Sequence, residues 1–306
     1  MIRSNKRDTY FCSILACLTM TCLHGSPVKA AAKTWTQQKL ALTRKNYIVA
    51  IKYPVFTGSN SNLKKLNTKI REIALRQYRD AIKEHSSDRS RSHEPLGEFV
   101  ATYDVEMVSK KAASLSCNII DYTPDAATSS AEIQTLNYSL SPFEELKIED
   151  LFKDGVNYKE VLKVVSLANL FATTEDAPSS CTKADGDFEN FAIDKHDLVL
   201  FFIQDTPNEV IKVFIPIHQI HQLIDDSLVR QLWSEQSIEA DEEPALEVKD
   251  LKKQLAIIAI GTYSRMINAD PSNALAYRER GKWYHELDRA EVGAKDLEEA
   301  KRLSPE

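Results

Sequence analysis

The chain has few glycines and lacks the short motifs that mark common catalytic sites. It has eight glycines in 306 residues, so a glycine-rich loop that cradles phosphate is not expected. The patterns Gly-x-Ser-x-Gly, His-Glu-x-x-His and Gly-x-x-x-x-Gly-Lys-Ser/Thr do not occur, which leaves no standard hydrolase, zinc-protease or nucleotide site in the sequence. We therefore expect a protein that is not an enzyme and needs no cofactor.

Positive charge is also scarce. The formal net charge is −6, and because residues 1–30 carry a net +3, the remainder is near −9. Proteins that bind nucleic acid present basic faces to the phosphates, so this charge argues against a nucleic-acid partner. A basic partner protein would be favoured electrostatically.

No apolar run reaches the roughly 20 residues that a membrane-spanning helix requires. The run at residues 10–23 is short, follows Arg3, Lys6 and Arg7, and precedes a small-residue stretch that ends in Ala30 and Ala32. A positive start, an apolar core and a small-residue cleavage site are the order of a secretory signal. We expect residues 1–32 to be a signal peptide, with cleavage after Ala30 or Ala32. The mature chain would be exported to the periplasm or the extracellular space and would not be transmembrane.

A lipoprotein anchor is the alternative to free export. The segment that ends in Cys17, Ile-Leu-Ala-Cys, resembles a lipobox, and a lipid on Cys17 would tether the mature chain at its first residue.

Cysteine is scarce once the signal is removed. Of five cysteines only Cys117 and Cys181 would remain. In an oxidising compartment such a pair predicts a disulfide, and two buried free thiols are the alternative.

Strand patterns dominate the first two thirds of the chain. The spacing of apolar and β-branched residues predicts strands near 47–55, 99–108, 114–122, 132–140 and 210–217, with one bent strand or a strand pair at 191–203. Helical spacing predicts a helix that Asn60 or Ser61 caps, a second helix at 158–171, and a closing helix at 218–233. Consecutive strands with helices inserted between them predict an α+β fold, in which helices pack on an antiparallel sheet.

An acidic stretch divides the chain. Residues 234–244 are nearly free of apolar side chains, as is typical of a linker. We therefore predict an α+β domain at 45–233, an acidic linker at 234–245 and a helical tail at 246–306.

A series of short motifs runs through the first domain, covers about residues 45–232 and follows the order of the predicted elements. The motifs are Tyr53-Pro54-x-Phe56-x-Gly58, Leu66-Asn67, Tyr103-Asp104-Val105, Ser114-Leu115-Ser116, Asp121-Tyr122-Thr123, Leu136-Asn137-Tyr138, the seven residues from Leu146 to Phe152, Phe188-Glu189-Asn190-Phe191 and Val213-Phe214-Ile215-Pro216. Together they resemble the RsiV-like extracytoplasmic domain, which occurs in a lysozyme-sensing anti-sigma factor and ahead of some peptidoglycan deacetylases. The resemblance implies a recognition module, since catalysis in that family belongs to a separate domain.

The tail resembles a short tetratricopeptide array. Pro271 and Pro305 are one 34-residue tetratricopeptide period apart. Tyr277, Trp283 and Tyr284 lie between them, and we take these three as candidate partner-binding residues, with packing inside the repeat as the alternative. About one and a half repeats are too few for a free-standing solenoid, so the tail must pack on the core, pair with another copy, or bind a partner.

One histidine pair is the nearest approach to a metal site. His218 and His221 are three residues apart and would share one face of a helix. No third ligand beyond Asp225 and Asp226 stands nearby, so we expect no metal and regard the pair as surface histidines.

Three functions remain open. We prefer an exported, non-enzymatic recognition protein that binds an envelope protein, for which a lysozyme-type cell-wall hydrolase is a candidate. The second is a scaffold or assembly factor that acts through the tail. The third is an unrecognised peptidoglycan or glycan hydrolase.

Overall fold

The computed structural model describes residues 35–44, 47–86, 97–122, 130–173, 188–203, 210–233 and 245–304. The predicted signal peptide, Cys17, Cys181 and the acidic segment 234–244 lie outside these ranges, and the predictions made for them stay predictions.

Within these described ranges, six strands form the larger sheet in sequence order. They are β1 (Trp35–Thr43), β2 (Tyr47–Phe56), β3 (Gly97–Val108), β4 (Ala112–Tyr122), β5 (Ser130–Leu140) and β6 (Phe143–Glu145). Strand β1, whose exposed face is polar, precedes the predicted domain start at residue 45. All neighbours are antiparallel except β2 and β3, which are parallel. The helix between them, α1 (Ser61–Ser86), supplies the crossover that a parallel pair requires.

Helix α1 covers one face of the larger sheet. Leu66, Ile70 and Ala74 recur at helical spacing and are fully buried, so the helix packs this stripe against the sheet. Asn67 fixes the helix to the end of β2, because its side-chain amide donates to the Phe56 carbonyl and accepts from the Phe56 amide at 2.8 Å each.

A three-stranded sheet covers the other face. It consists of β7 (Phe191–Ile193), β8 (Asp197–Ile203) and β9 (Val210–Pro216), all antiparallel. A buried hydrogen-bond relay joins the two sheets: Asn137 donates to the Phe191 carbonyl at 2.8 Å, Ser114 donates to Asn137 at 2.6 Å, and Ser114 accepts from the Ile193 amide at 2.8 Å.

Helix α2 (Tyr158–Thr173) packs on the outside of the smaller sheet, against β9. The closing helix expected at 218–233 is instead three short pieces, α3 (Ile217–Ile220), a 3₁₀ turn (His221–Leu223) and α4 (Asp226–Leu232). The break has a local cause. Ile224 pairs with Phe152 in an isolated β-bridge, and Asp225 then caps α4 by accepting from the amides of Ser227 and Leu228.

The tail contains three helices, α5 (Leu251–Ala269), α6 (Ala274–Glu286) and α7 (Ala290–Leu303). Helices α6 and α7 pass close to each other at two glycines: a Cβ on Gly293 would lie 2.6 Å from the Gly281 carbonyl oxygen. Arg280, which stands where the tetratricopeptide pattern has leucine, binds Asp296 with two hydrogen bonds of 2.7 and 2.8 Å and Ser264 at 3.1 Å. One side chain thus ties the three helices together.

The tail packs on the core. Helix α5 lies against α2, and one cluster of buried apolar residues extends from Ala112 on β4 through both helices to Trp283 on α6. In the part of the chain that the structure describes, no helix is both long and apolar enough to cross a membrane.

Candidate functional site

A cleft of about 930 Å³ runs beside β5. One wall is α1, the floor is β5, and the opposite wall combines the segment after β6, the start of α2 and the turn before β7. Its lining is largely polar and comes from these residues: Lys69, Glu72, Ile73, Arg76, Arg79, Gln134, Thr135, Leu136, Asn137, Tyr138, Glu145, Leu146, Lys147, Ile148, Glu149, Tyr158, Lys159, Glu189, Asn190 and Phe191.

Helix α1 lies lengthwise along β5, in the opposite direction. Near its start, the Asn62 side-chain amide donates to the Leu140 carbonyl at 2.8 Å; farther along, Gln77 donates to Gln134 at 3.0 Å. Tyr103, buried on β3, donates to Gln77 at 2.9 Å and holds its amide in this orientation. The basic wall of the cleft is therefore fixed relative to the strand.

The outer edge of β5 is only partly paired. Strand β6 pairs with Tyr138, Ser139 and Leu140, and the Leu146 amide donates to the Asn137 carbonyl at 2.8 Å. Before Asn137, no strand among the described residues pairs with β5 on this side. Since β6 stops short, the floor of the cleft includes an open strand edge.

Charges of both signs line the cleft, but they are not evenly placed. The α1 wall presents Lys69, Arg76 and Arg79 against Glu72, all four of which are exposed. Lys69 and Arg76 form no ion pair with any described residue, so their charges are available to a ligand. The opposite wall presents Lys147 and Lys159 against three carboxylates, those of Glu145, Glu149 and Glu189. Lys147 lies 3.8 Å from Glu149.

Tyr138 lies at the end of the floor, opposite Glu145, the last residue of β6. Its ring stacks on Phe143 at 5.2 Å, and its buried hydroxyl has no hydrogen-bond partner in the described ranges. Burial, with the nearby Glu145 charge as a smaller cause, raises the pKa of Tyr138 to about 12. The hydroxyl therefore keeps its proton and is a donor without an acceptor.

The candidate partner-binding residues lie elsewhere, on α6. Trp283 is 9% exposed and faces the junction between the tail and α2, where it lines a second cleft of about 550 Å³. Tyr277 and Tyr284 are half-buried, under the guanidinium groups of Arg280 and Arg289 at 5.5 and 5.1 Å. Their role in partner binding stays a prediction.

The histidine pair lies at the broken end of the closing helix. His218 is 8% exposed rather than on the surface, and His221 Nδ1 lies 2.9 Å from the His218 carbonyl oxygen. Both nearby carboxylates are already engaged: Asp225 caps α4, and Asp226 lies 2.8 Å from Lys153. No group of three metal-ligating side chains occurs within the residues that the structure describes.

Cys117 lies on β4 beneath α1, 1% exposed, beside Tyr103 and Gln77. Burial raises the pKa of its thiol to about 12. The structure records this thiol as free. Because Cys181 is outside the described residues, the predicted disulfide stays a prediction.

The architecture is α+β, and part of the sequence is similar to that of a peptidoglycan deacetylase. No protein-family model matches the chain. The chain is 24% identical over 166 residues to the peptidoglycan-N-acetylmuramic acid deacetylase PdaC of Bacillus subtilis (strain 168), a match that covers 52% of this chain and 34% of that protein. The chain thus spans about a third of the length of this curated relative.

Two solved structures of the DUF3298 family also match the chain. One, from Pseudomonas aeruginosa, has a TM-score of 0.46 and 14% identity, covering 63% of this chain and 96% of its own. The other, from Bacteroides fragilis, has a TM-score of 0.44 and 15% identity, covering 65% of this chain and 97% of its own.

Sequence reasoning missed the cleft because its lining residues come from five separate segments. One signal was available. Helix α1 contains seven basic residues against three acidic ones in a chain of net charge −6. An excess of that sign in one helix of an acidic protein indicates a local positive surface.

Proposed function

We propose that this chain is an exported, non-enzymatic recognition protein that binds an envelope protein, with a lysozyme-type cell-wall hydrolase as the first candidate partner. The observation that carries the proposal is the cleft beside β5. It is open and largely polar, two of its basic side chains form no ion pair with any residue that the structure describes, and a strand edge that a polypeptide could extend forms part of its floor. The secretory pattern of residues 1–32 and the similarity to a peptidoglycan deacetylase support an envelope location.

Overall charge supports a basic partner. The chain without its signal would be near −9, and a field of that sign accelerates encounter with a cationic protein. The charge of the whole molecule governs approach, whereas the cleft governs what is held after contact, so the basic α1 wall does not conflict with this preference.

Interferometry of residues 33–306 over immobilised lysozyme tests the named partner, and in-cell crosslinking followed by mass spectrometry tests the wider proposal. We expect saturable micromolar binding that weakens as salt is added. Release of acetate or sugar from peptidoglycan by the purified chain would instead favour the enzyme alternative. Failure to capture any envelope protein would refute the recognition role.

A scaffold that acts through the tail is the second candidate, and one observation favours it. Ile257 on α5 is 63% exposed and Val248 just before that helix is 51% exposed, which leaves apolar side chains on the outer face of the tail. Deleting the tail would expose buried apolar residues of the core and destabilise it, because α5 belongs to the same apolar cluster. The matched test is Ile257→Ser, which should abolish partner capture and leave stability unchanged if the tail is the binding surface.

A further inference from the structure

We propose that the cleft binds an extended polypeptide segment that adds to the edge of β5 and places acidic side chains at alternate positions against α1. This rests on the proposed function in one respect: the partner is a polypeptide. The inference goes further in naming the binding mode, the position in the fold and the chemistry of the segment.

The backbone of β5 supplies the first argument. The Leu140 amide donates toward β4, to the Lys111 carbonyl at 2.5 Å, whereas the Asn137 carbonyl accepts from Leu146 on the opposite side. In an antiparallel strand, every second residue directs its backbone amide and carbonyl groups to the same edge. Ile133 and Thr135 therefore turn theirs to the edge that Asn137 uses, where no described strand meets them.

Room for a strand is the second argument. Strand β6 and Leu146 occupy the position next to residues 137–140. The chain then leaves the sheet and enters the 3₁₀ turn Glu149–Leu151. The cleft continues this position along the floor, between α1 and the turn at Glu189. An added strand would thus prolong the line of β6. The side chains of such a strand alternate between the two walls.

The charge of the α1 wall is the third argument and selects the ligand. Lys69 and Arg79 are separated by about 15 Å along the helix, taking 1.5 Å of rise per residue, and Arg76 lies between them on the same wall. Three side chains at alternate positions of a strand span about 14 Å, at 3.4 Å per residue. Three carboxylates at that spacing would meet three cations of matching extent, whose charge outweighs that of Glu72 on the same wall. The facing wall has an acidic excess and favours neutral or basic side chains at the intervening positions.

The test uses mature full-length protein, residues 33–306, and a labelled synthetic octapeptide with glutamate at alternate positions and threonine between, followed by fluorescence anisotropy. We expect micromolar binding in about 20 mM salt that weakens at least tenfold in about 0.5 M salt, where screening shortens the reach of exposed charges. The same peptide with lysine for glutamate should not bind. A peptide N-methylated on the residues that face β5 should also fail, because it can no longer donate to the strand edge.

Matched variants locate the site. Arg76→Glu should weaken binding by more than tenfold, whereas Arg71→Glu, on the same helix but outside the cleft, should change it less than twofold. Thr135→Pro removes the edge amide and should abolish binding, whereas Thr135→Val keeps that amide and should not. The N-methylated peptide keeps the test decisive if Thr135→Pro does not fold.

Equal affinity for the N-methylated peptide, or equal binding by the Arg71 and Arg76 variants, would overturn strand addition at this edge. An envelope protein captured equally well by wild type and Arg76→Glu would leave the proposed function standing and remove this inference. Binding of the peptide without capture of any envelope protein would support this inference and remove the proposed function.

Discussion

The contact between α6 and α7 makes a sharp prediction about two glycines. Gly293→Ala would place a methyl group 2.6 Å from the Gly281 carbonyl oxygen, whereas Gly261→Ala on α5 meets no atom within 4 Å. Both substitutions replace a helical glycine by the best helix former, which alone stabilises by about 1 kcal/mol. The two variants therefore share the propensity gain and differ only in the clash.

The magnitude follows from the distance. Carbon and carbonyl oxygen seldom approach closer than about 3.3 Å, so α6 and α7 must separate by several tenths of an ångström because backbone cannot swing aside. Overpacking of this kind typically destabilises by about 1–3 kcal/mol. After the propensity gain is subtracted, we expect Gly293→Ala to lower the free energy of unfolding by up to about 2 kcal/mol. We expect Gly261→Ala to raise it by about 0.5–1 kcal/mol.

Urea denaturation followed by circular dichroism at 222 nm measures both variants on one scale. Because the tail shares its apolar cluster with the core, we expect a single transition in each case. The reasoning fails if Gly293→Ala is as stable as Gly261→Ala, since the two helices would then not be held at the observed approach.

Three further predictions concern side chains. Asp296→Ala should lower the free energy of unfolding by about 2–3 kcal/mol, because it leaves the largely buried Arg280 without its partner. The double variant with leucine at positions 280 and 296 should recover most of that loss in a double-mutant cycle. A double variant that recovers none of it would contradict the pairing. Hydrogen bonds from Ser227 lower the pKa of Asp225, so this cap stabilises above the unfolded pKa near 3.8 and the gain is lost as pH falls below it. Asp225→Asn, which caps the helix without titrating, should make the free energy of unfolding less dependent on pH below about 4. The same pH dependence in the variant and the wild type would refute the role of Asp225. Burial raises the pKa of the Cys117 thiol to about 12, so this thiol should resist iodoacetamide at about pH 8 in the folded protein. If Cys117 is alkylated after the protein is unfolded without reductant, the predicted disulfide with Cys181 is ruled out.

The spacing of apolar residues in the sequence was sufficient to predict most of the helices and strands. The helix after Asn60 and the strands near 47–55, 99–108, 114–122 and 132–140 all occur within a few residues of their expected ends, because each buries one regularly spaced face. Strand β1 was missed because its sequence is mostly polar and most of its residues are exposed. The strand owes its structure to pairing with β2 along its full length.

The site was beyond sequence reasoning for a different reason. Single-chain patterns give elements but not their neighbours in a sheet, and the cleft exists because β6 pairs with only three residues of β5. The parallel pairing of β2 and β3 was equally hidden, since the expected sheet was antiparallel. Arg280 shows the limit at one residue: it appeared as a departure from the leucine of the repeat pattern, while its partner Asp296 is 16 residues away.

The shared apolar cluster has a consequence for how the chain can fold. Ala112 on β4 and Trp283 on α6 belong to the same buried group, although 171 positions separate them in the sequence. A polypeptide that emerges amino terminus first, from a ribosome or a translocation channel, therefore cannot close its larger core until its last helices are out. Until then the side of α2 that receives α5 stays uncovered, and contacts of such long range slow folding. We expect a holding chaperone to be most valuable to this protein in that interval, just before release of the carboxyl terminus.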